Sequence, residues 1–416
     1  MTDASLTGPA PVAPSVRIES IDVVRGFALL GILLLNILGF GLPFRAYFDP
    51  SVDGAVAGID FGVYVGVELF AEGAMRALFS MLFGAGVAIL ATGARAKGPG
   101  IYYRRQLLLL AIGLFDAFVL LWVGDILVPY ALAGLVLYLC RNWQPRALVA
   151  SAVVVFLYLA TACGGMWLIL SIPAFTDDPG ALEAWRQTKA AFTPTEAALA
   201  TERIRFEGAY PEAFAANAQA VLATYAQGLP LFIFWDALAC MLLGMALYKT
   251  GVLQGQRSVR FYVVLAICGF GIGLAVNAFE VTMKVTSGFD LKWVSGASVP
   301  TNDLGRVSMG LGYASLVMII CARGWLARVR YGLAAAGRMA LSNYILQSIF
   351  GLLLFHDIGL GLWNELARSE LYIIVLAQWA VMIEFSTWWL RRFRFGPLEW
   401  LWRSLTYGRF QPMAVR

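Results

Sequence analysis

Long apolar runs recur along the whole chain and constrain its fold more than any other feature. At least nine of them approach the roughly 20 residues that a helix needs to cross a hydrocarbon core about 30 Å thick. Of the 416 residues, 60% are hydrophobic and 14% are charged, whereas soluble domains are about 45–50% apolar and about 25% charged. The pattern excludes a water-soluble globular enzyme. It predicts an all-α fold, a polytopic transmembrane helix bundle.

We predict about ten membrane spans, with eleven as the alternative. They lie at about 24–43, 76–93, 106–123, 126–140, 147–171, 229–248, 261–280, 306–322, 339–356 and 371–390. The ambiguous segment is 59–75, because Glu68, Glu72 and Arg76 recur at four-residue spacing on one helical face. Charged groups at the centre of a lipid-facing helix are costly. We therefore interpret 59–75 as an interfacial or re-entrant helix.

The basic residues are segregated, which predicts the orientation of the bundle. Lysines and arginines concentrate in the connections on one predicted side and in the C-terminal tail, where Glu399 is the one acid among them. Acidic residues concentrate on the other side, including the segment 172–228. Since basic connections stay on the cytoplasmic side, the C-terminus is predicted to be cytoplasmic, and with ten spans the N-terminus as well.

Composition and span order divide the chain into five parts. We predict a disordered leader at 1–16, an N-terminal transmembrane half at 17–171 and a helical extracytoplasmic insert at 172–228. A C-terminal transmembrane half at 229–390 and a basic cytoplasmic tail at 391–416 follow. The insert is interpreted either as a cap that covers the bundle or as a lid over an outward-facing cavity.

Neither a metal site nor nucleic-acid binding is expected. The five cysteines lie in apolar stretches without a CxxC pair, and His356 is the one histidine of the chain. The net charge of +5 is attributed to membrane topology rather than to a nucleic-acid partner. The expected partners are the lipid bilayer and a small-molecule or envelope acceptor.

Polar residues near the cytoplasmic face form the first group of candidates. Asp22 and Arg25 are three residues apart at the start of the first span, where they can meet on one face. Arg338, Asn343 and Gln347 place a polar stripe on the ninth span. These residues either anchor and hydrogen-bond the helices or line a polar tunnel that binds a substrate or cofactor.

A second group of candidates lies in the middle and outer parts of the predicted bundle. Glu72 and Arg76 are candidate binding residues, and Asp116, Asp125 and His356 are candidate catalytic residues. A histidine titrates near neutral pH, which suits general acid–base catalysis. Asp125 alternatively pairs with Arg76 or Arg306, and His356 alternatively forms an interfacial hydrogen bond.

Five stretches of the chain resemble the YeiB-like proteins, the domain-of-unknown-function family numbered 418. They are RIESIDVVRGFALLGILLLN, EGAMRALFSMLFGAGVAIL, GDILVPYALAGL, GRMALSNYILQSI and GPLEWLWRSLTYGRFQPM. The resemblance extends from residue 17 to the C-terminus. It implies a multi-pass protein of the bacterial inner membrane.

A weaker resemblance connects the chain to the transmembrane acyltransferase superfamily, which includes the heparan-alpha-glucosaminide N-acetyltransferases. The shared element is Asp22, Arg25 and Gly26 at one end of a helix and Asn36 at the other, about 21 Å apart along the axis. It implies that acyl-CoA binds on the cytoplasmic side, with its phosphates on Arg25 and Arg338. A homodimer is implied because these relatives pair.

The chain departs from these relatives at their catalytic histidine, which follows the helix and has no counterpart here. Many YeiB-like proteins also have a histidine where this chain carries Asp116. The base of an acyl transfer would then be Asp116, Asp125, Glu72 or His356, and the spacing does not choose among them. The predicted function is acyl transfer from a cytoplasmic acyl-CoA to an extracytoplasmic or envelope acceptor. A small-molecule transporter or exporter and a non-catalytic membrane scaffold are the alternatives.

Overall fold

The computed structural model describes residues 18–92, 98–192, 195–295 and 299–414. The leader predicted at 1–16 lies outside the described residues. Apart from an isolated β-bridge between Phe393 and Ala414, the regular structure of the described residues is helical. The all-α prediction is therefore confirmed.

Nine helices make up the first part of the chain. They are α1 (Glu19–Gly41), α2 (Gly58–Phe70), α3 (Ala74–Ala91), α4 (Pro99–Phe118), α5 (Leu127–Leu137), α6 (Pro145–Leu170), α7 (Pro179–Phe192), α8 (Glu196–Glu207) and α9 (Tyr210–Ala223). Eight more follow: α10 (Phe234–Lys249), α11 (Val259–Thr286), α12 (Leu291–Val294), α13 (Asn302–Ala322), α14 (Ala327–Arg338), α15 (Ala340–Phe355), α16 (Arg368–Leu390) and α17 (Pro397–Tyr407).

Seven helical stretches within the described residues are long and apolar enough to cross a membrane. The number becomes eight if the bent pair α14 and α15 forms one span. The chain is therefore a polytopic membrane protein. The apolar helix at Leu127–Cys140 is shorter than these stretches, and α4 carries Arg104, Arg105 and Asp116 in its sequence. The number of ten spans stays a prediction.

The segment predicted as an interfacial or re-entrant helix forms α2, which ends before the next helix begins. A turn at Ala71–Gly73 separates α2 from α3, and Gly73 adopts a left-handed conformation with φ of 61°. A new helix thus begins close to Arg76, as the sequence predicts. Together the two helices extend over Gly58–Ala91, 34 residues, which is more than one crossing requires.

Apolar helices divide into inner and lipid-facing ones. In the most apolar part of α1, 72% of the residues are buried, against 11% in α6 and 22% in α11. An apolar helix that other helices do not cover is stable only where lipid hydrocarbon surrounds it. Helix α1 is thus the central helix of the bundle, and α6 and α11 face lipid.

Helices α3 and α10 cross at glycines and touch through their backbones. A Cβ atom on Gly84 would overlap the carbonyl of Met241, and one on Gly244 would overlap the carbonyl of Met81. Ser80 and Cys240 precede the two glycines by four residues, so each helix presents a small-xxx-small face. In membranes, where apolar burial does not drive helix association, such faces allow close van der Waals packing.

A second close crossing joins α1 to α14. A Cβ atom on Gly26 would overlap the carbonyl of Leu333, and one on Gly337 would overlap the carbonyl of Asp22. After this contact the chain turns by 82° between α14 and α15. The bend places Arg338 beside the first turn of α1, which brings together the two basic regions predicted from the sequence.

The insert predicted at 172–228 is helical and docks on the bundle. It contains α7, α8 and α9, and α9 continues into α10 through a π-helical segment, Thr224–Ile233. The side chain of Phe206 on α8 stacks on Trp363 with ring centroids 4.8 Å apart. The backbone N–H of Asp357 donates to the carbonyl of Phe206 at 2.9 Å. The insert is thus bound to the bundle by direct contacts.

Candidate functional site

A cavity of about 300 Å³ opens among the helices that meet near the first turn of α1. Its walls come from α1, α3, α4, α5, α10, α15 and α17, with Arg338 at the end of α14. Along α3 the lining extends from Phe79 to Leu90, about 16 Å at the helical rise. The cavity therefore reaches deep into the bundle.

Four arginines line this cavity: Arg25, Arg105, Arg338 and Arg403. The acids in the lining are Asp22 and Glu399, which leaves two positive charges in excess. We call the end of the bundle that carries these residues the basic end. Asp22 accepts a hydrogen bond from the Arg25 guanidinium at 3.1 Å, and Glu399 is engaged with α15. The lining thus attracts an anion.

Arg105 is the arginine whose surroundings are most informative. Its guanidinium lies 3.5 Å from the centre of the Trp402 ring, and the Trp402 indole N–H donates to the Arg105 carbonyl at 2.9 Å. Protein surrounds the guanidinium, and the nearby charges of Arg403 and Arg25 repel it. No carboxylate or carbonyl in the described part of the chain accepts a hydrogen bond from it. Such a group is suited to a bound anion with several oxygens.

Glu399 holds the last helix against the beginning of α15. Its carboxylate accepts hydrogen bonds from the N–H groups of Leu341 at 2.7 Å and Ser342 at 3.0 Å, and from the Ser342 hydroxyl. These are the N–H groups that a helix start leaves unsatisfied, and a carboxylate also complements the helix dipole. Burial nevertheless raises the pKa of Glu399 above its usual value. The contact fixes α17 across the basic end.

The far end of the cavity carries a tyrosine beside two buried carboxyl groups. Tyr344 lines the cavity, accepts a hydrogen bond from the Ile126 N–H at 3.0 Å and points its hydroxyl at Asp125, 3.5 Å away. Asp116 lies beside Asp125 and Ser348 and is fully buried. Two adjacent buried carboxyl groups resist ionising together. The arrangement can take up or release a proton next to the cavity.

Asp125 also begins helix α5, which explains its position. Its carboxylate accepts the N–H groups of Leu127 at 3.0 Å and Val128 at 2.7 Å. Gly113 on α4 allows this turn to approach, because a Cβ there would lie within 3.0 Å of the Val128 nitrogen and the Asp125 carboxylate. Within the described residues no ion pair joins Asp125 to Arg76, which instead binds Asp236. The predicted alternative of an Asp125–Arg76 pair is therefore not what the structure contains.

Tyr130 connects the cavity to a buried ion-pair network. Its hydroxyl lies 2.6 Å from the Ser80 hydroxyl, which donates to the Arg76 carbonyl at 2.9 Å. The Arg76 guanidinium pairs with Asp236. Asp236 also pairs with Arg306, which in turn pairs with Asp303. Removal of one partner from such a buried network leaves an uncompensated charge.

Asn36, Asn343 and Gln347 are among the predicted residues that the cavity lining does not include. Asn343 donates to the Ala336 carbonyl at 3.2 Å and the Ser386 hydroxyl at 2.9 Å, and Gln347 donates to the Leu29 carbonyl at 3.3 Å. Both therefore hydrogen-bond between helices, as the alternative interpretation expects. Asn36 is about three turns beyond Arg25 on α1. It is absent from the cavity lining.

The span predicted at 339–356 ends one residue earlier, at Phe355, and His356 follows it outside the helix. It is 3% exposed and packs on Phe206 with ring centroids 4.6 Å apart. The cavity lining does not include it. Its surroundings indicate that it anchors the insert.

We expect His356 to make stability depend on pH. Burial, and then the charge of Arg205, lower the pKa of His356 from 6.5 to about 4. Between pH 6.5 and about pH 4 the histidine of the unfolded chain takes up a proton and that of the folded chain does not. The free energy of unfolding is therefore highest above pH 6.5 and decreases as the pH falls toward 4. Unfolding temperatures at about pH 7.5 and about pH 5 measure this loss. We expect it to be smaller in His356→Phe, and an equal loss would contradict the assignment.

Two pairs of residues in this site are not predicted from the sequence. Arg105 and Arg403 belong to basic connections that topology alone explains. Tyr130 and Tyr344 lie in apolar runs without any distinguishing spacing. The signal that could have found Arg403 is the tail motif PLEWLWR, residues 397–403, in which two tryptophans stand between a glutamate and an arginine. Among the described residues, no group of three or more His, Cys, Asp or Glu side chains could hold a metal ion.

Comparisons with known proteins place these features in a family. Residues 247–409 match the family described as "Protein of unknown function (DUF418)". The chain is 33% identical over 394 residues to "Uncharacterized protein YeiB" of Escherichia coli (strain K12), covering 94% of this chain and 96% of that protein. It is 30% identical over 433 residues to "Uncharacterized protein YxaH" of Bacillus subtilis (strain 168), covering 98% of each. No solved structure matches.

Proposed function

The chain belongs to the YeiB-like DUF418 family, and for this member we propose an acyltransferase function that is inferred from its own cavity. The donor is acyl-CoA, which enters from the cytoplasmic side of the bacterial inner membrane. The acceptor is a small molecule or an envelope component on the other side. Transfer links the two through the interior of the bundle.

The observation that carries this proposal is the enclosed guanidinium of Arg105. It is stacked on Trp402, faces the like charges of Arg25 and Arg403 and has no acceptor among the described residues. A cluster of like charges in a protein recess is costly unless an anion offsets it. The several phosphate oxygens of CoA suit guanidinium groups, which bind phosphate through two parallel hydrogen bonds.

The inner wall of the cavity suits the remainder of the same ligand. Beyond the arginines the lining is mostly apolar and aromatic, with Phe79, Phe83, Leu109 and Leu341 among its members. Ligand sites typically combine such walls with a few polar groups that orient the ligand. An acyl thioester with a charged head and a less polar arm matches this division.

Asp116 and Asp125, the buried carboxyl pair, support a proton transfer at the inner end of the cavity, beside Tyr344. An acceptor O–H or N–H attacks the thioester carbonyl carbon and passes its proton to the Tyr344 oxygen, while Tyr344 passes its own proton to Asp125. The C–S bond then breaks, and the proton returns to the CoA sulfur. General acid–base groups of this kind contribute about 10²–10⁴-fold to a rate.

Binding of acyl-CoA to the purified protein tests the proposal. We expect acetyl-CoA to raise the unfolding temperature and to bind with a measurable Kd. Arg105→Gln should weaken binding at least about tenfold, since a charge-assisted contact contributes about 1.5–3 kcal/mol. Arg105→Lys keeps the charge but loses the planar donors, so it should fall between the two. Calorimetric titration measures the series.

Arg392→Gln is the matched control, because Arg392 lies in the basic tail outside the cavity lining. It should bind acetyl-CoA like the unmodified protein. Absence of acetyl-CoA and CoA binding at millimolar ligand, or equal loss in the control, would contradict the donor assignment.

Transport is the second candidate function, favoured by the Tyr130 and Ser80 hydroxyls. They link the cavity lining to Arg76, which is predicted to lie in the outer part of the bundle. Polar groups inside a membrane protein often mark the path of a transported substrate or ion. Proteoliposomes with radiolabelled acyl-CoA distinguish the candidates. Transfer releases CoA on the side of addition, whereas transport delivers the intact molecule to the other side.

A further inference from the structure

Helix α17 turns its apolar side chains outward at the basic end. Leu401 and Leu405 lie four residues apart on one face and are 40% and 44% exposed, and Phe410 beyond the helix is 84% exposed. The hydroxyl side chains of Ser404 and Thr406 are buried instead. A helix on a water-exposed surface shows the opposite arrangement, with its apolar face toward the core. The outer face of α17 therefore suits an apolar environment.

A second apolar face lies at the beginning of α14. Trp325, Leu326 and Val329 are each more than half exposed. Helix α14 meets α15 at 82°, and its other end crosses the first turns of α1 through Gly337. It thus lies across the end of the bundle and not along a span. A short helix in this place with an apolar face is typical of the boundary between headgroups and acyl chains.

Exposed arginines stand beside both apolar faces. Arg391, Arg392 and Arg394 are exposed in the turn that connects α16 to α17. Arg323 and Arg328 are exposed on either side of the start of α14. An arginine next to exposed apolar side chains can bind an anion at the surface while its neighbours contact hydrocarbon. The two faces therefore share one chemistry.

Few acidic residues accompany these arginines. Residues 321–340 contain none, and in residues 391–414 the one acid is Glu399, whose carboxylate binds the N–H groups at the start of α15. Glu19 on α1 pairs with Arg330 of α14 at 3.3 Å. The exposed arginines thus leave this part of the described structure with a positive charge, which attracts anions.

The end of α16 carries aromatic rings of the kind that mark a bilayer interface. The Arg392 guanidinium lies 4.6 Å from the centre of the Trp388 ring, and Trp388 is 47% exposed. Trp389 is the next residue, and its indole N–H donates to the Phe395 carbonyl at 2.9 Å. Tryptophans concentrate at the level of the headgroups in membrane proteins. The adjacent arginines are therefore at the depth of the lipid phosphates.

We propose that α14, α17 and the arginines beside them form a docking surface for anionic phospholipids of the leaflet at the basic end. The apolar faces contact the acyl chains near the headgroups, and the guanidinium groups bind the phosphates. Anionic lipids are favoured because a zwitterionic headgroup carries a positive charge of its own beside the phosphate. This proposal does not depend on acyl transfer. Since Trp402 and Arg403 of α17 line the cavity, bound lipid supports one of the cavity walls.

Lipid titration of the full-length protein in detergent tests the proposal. The probes are dioleoyl phosphatidylglycerol and dioleoyl phosphatidylcholine, which have the same acyl chains and differ in headgroup charge. We expect phosphatidylglycerol to raise the unfolding temperature at a half-maximal concentration at least about tenfold below that of phosphatidylcholine. High salt should reduce this difference, because it screens exposed charges. Equal half-maximal concentrations, or no response to phosphatidylglycerol, overturn the proposal.

Removal of three arginines tests the charged part of the surface. The variant that combines Arg391→Gln, Arg392→Gln and Arg394→Gln should need at least about tenfold more phosphatidylglycerol, since each basic residue near an anionic surface contributes about fivefold. Its response to phosphatidylcholine should not change. The matched control removes three exposed charges from the insert: Arg186→Gln, Lys189→Gln and Arg203→Gln. An undiminished preference for phosphatidylglycerol in the test variant, or an equal loss in the control, contradicts the assignment.

Leu401→Ser combined with Leu405→Ser tests the apolar part of the surface. Both positions are exposed, so the variant should fold, and its elution as a single species without added lipid checks this. We expect it to need at least about fivefold more of either lipid, because contact with the acyl chains does not depend on the headgroup. Leu199→Ser combined with Ile204→Ser, at two exposed positions of α8, is the control. An unchanged response of the α17 variant to both lipids would place this helix outside the bilayer and overturn the docking surface.

Discussion

Gly244→Val is expected to remove most of the folded protein. The valine side chain would overlap the Met81 backbone in the α3–α10 crossing, and backbone cannot rotate away as a side chain can. Overpacking typically costs about 1–3 kcal/mol and sometimes more, which is a large share of a stability of about 5–15 kcal/mol. Because both contacts at this crossing are between backbones, we expect the upper end of that range. The fraction of detergent-solubilised protein that elutes as a single symmetrical species measures the loss.

Gly271→Val is the matched control for this experiment. Gly271 lies in α11, where an added Cβ would meet nothing within 4 Å, and valine is tolerated in a lipid-facing helix. The control should therefore keep its folded yield. A normal yield of Gly244→Val would mean that α3 and α10 are further apart than the crossing requires.

Asp125→Asn is expected to reduce acyl transfer by about 10²–10⁴-fold while acyl-CoA affinity stays within about threefold. Asparagine keeps a side-chain oxygen that can accept from the Val128 N–H, so the start of α5 should be preserved. It cannot take up the proton that Tyr344 delivers. Release of CoA thiol in proteoliposomes supplied with ethanolamine and glycerol, followed with a thiol reagent, measures the rate.

Tyr344→Phe should lower the rate of transfer in the same way, because it removes the hydroxyl between the cavity and Asp125. Asp357→Asn is the control, since Asp357 is exposed and lies beyond the end of α15. A transfer rate in Asp125→Asn equal to that of the unmodified protein would exclude the carboxyl pair as the proton acceptor. Glu72 would then be the next candidate base.

The helical bundle follows from the sequence because its cause is local. An apolar run of spanning length has one stable conformation in hydrocarbon, so α1, α6 and α16 lie close to the predicted positions. The sequence also predicts that Arg25 and Arg338 lie near one face of the bundle, because topology places both at its cytoplasmic side. What places both at one cavity is the glycine crossing of Gly26 and Gly337, and no spacing rule identifies which backbones meet there.

The rest of the site depends on contacts between distant segments. Arg105 looks like one more residue of a basic connection until Trp402, almost three hundred positions later, stacks on it. Gln347 looks like a tunnel residue until the Leu29 carbonyl accepts its amide hydrogen. In both cases the sequence supplies the chemistry of the side chain, and the packing of another helix decides how that chemistry is used.

The position of α17 has a consequence for biosynthesis. This helix supplies Glu399, Trp402 and Arg403 to the mouth of the cavity, and among the described residues it follows all the other helices along the chain. During synthesis the spans leave the ribosome before α17 does, so they can insert while the mouth still lacks one of its walls. The cavity is therefore complete only after α17 has emerged, and a chain truncated before Pro397 would keep the spans but leave the cavity open.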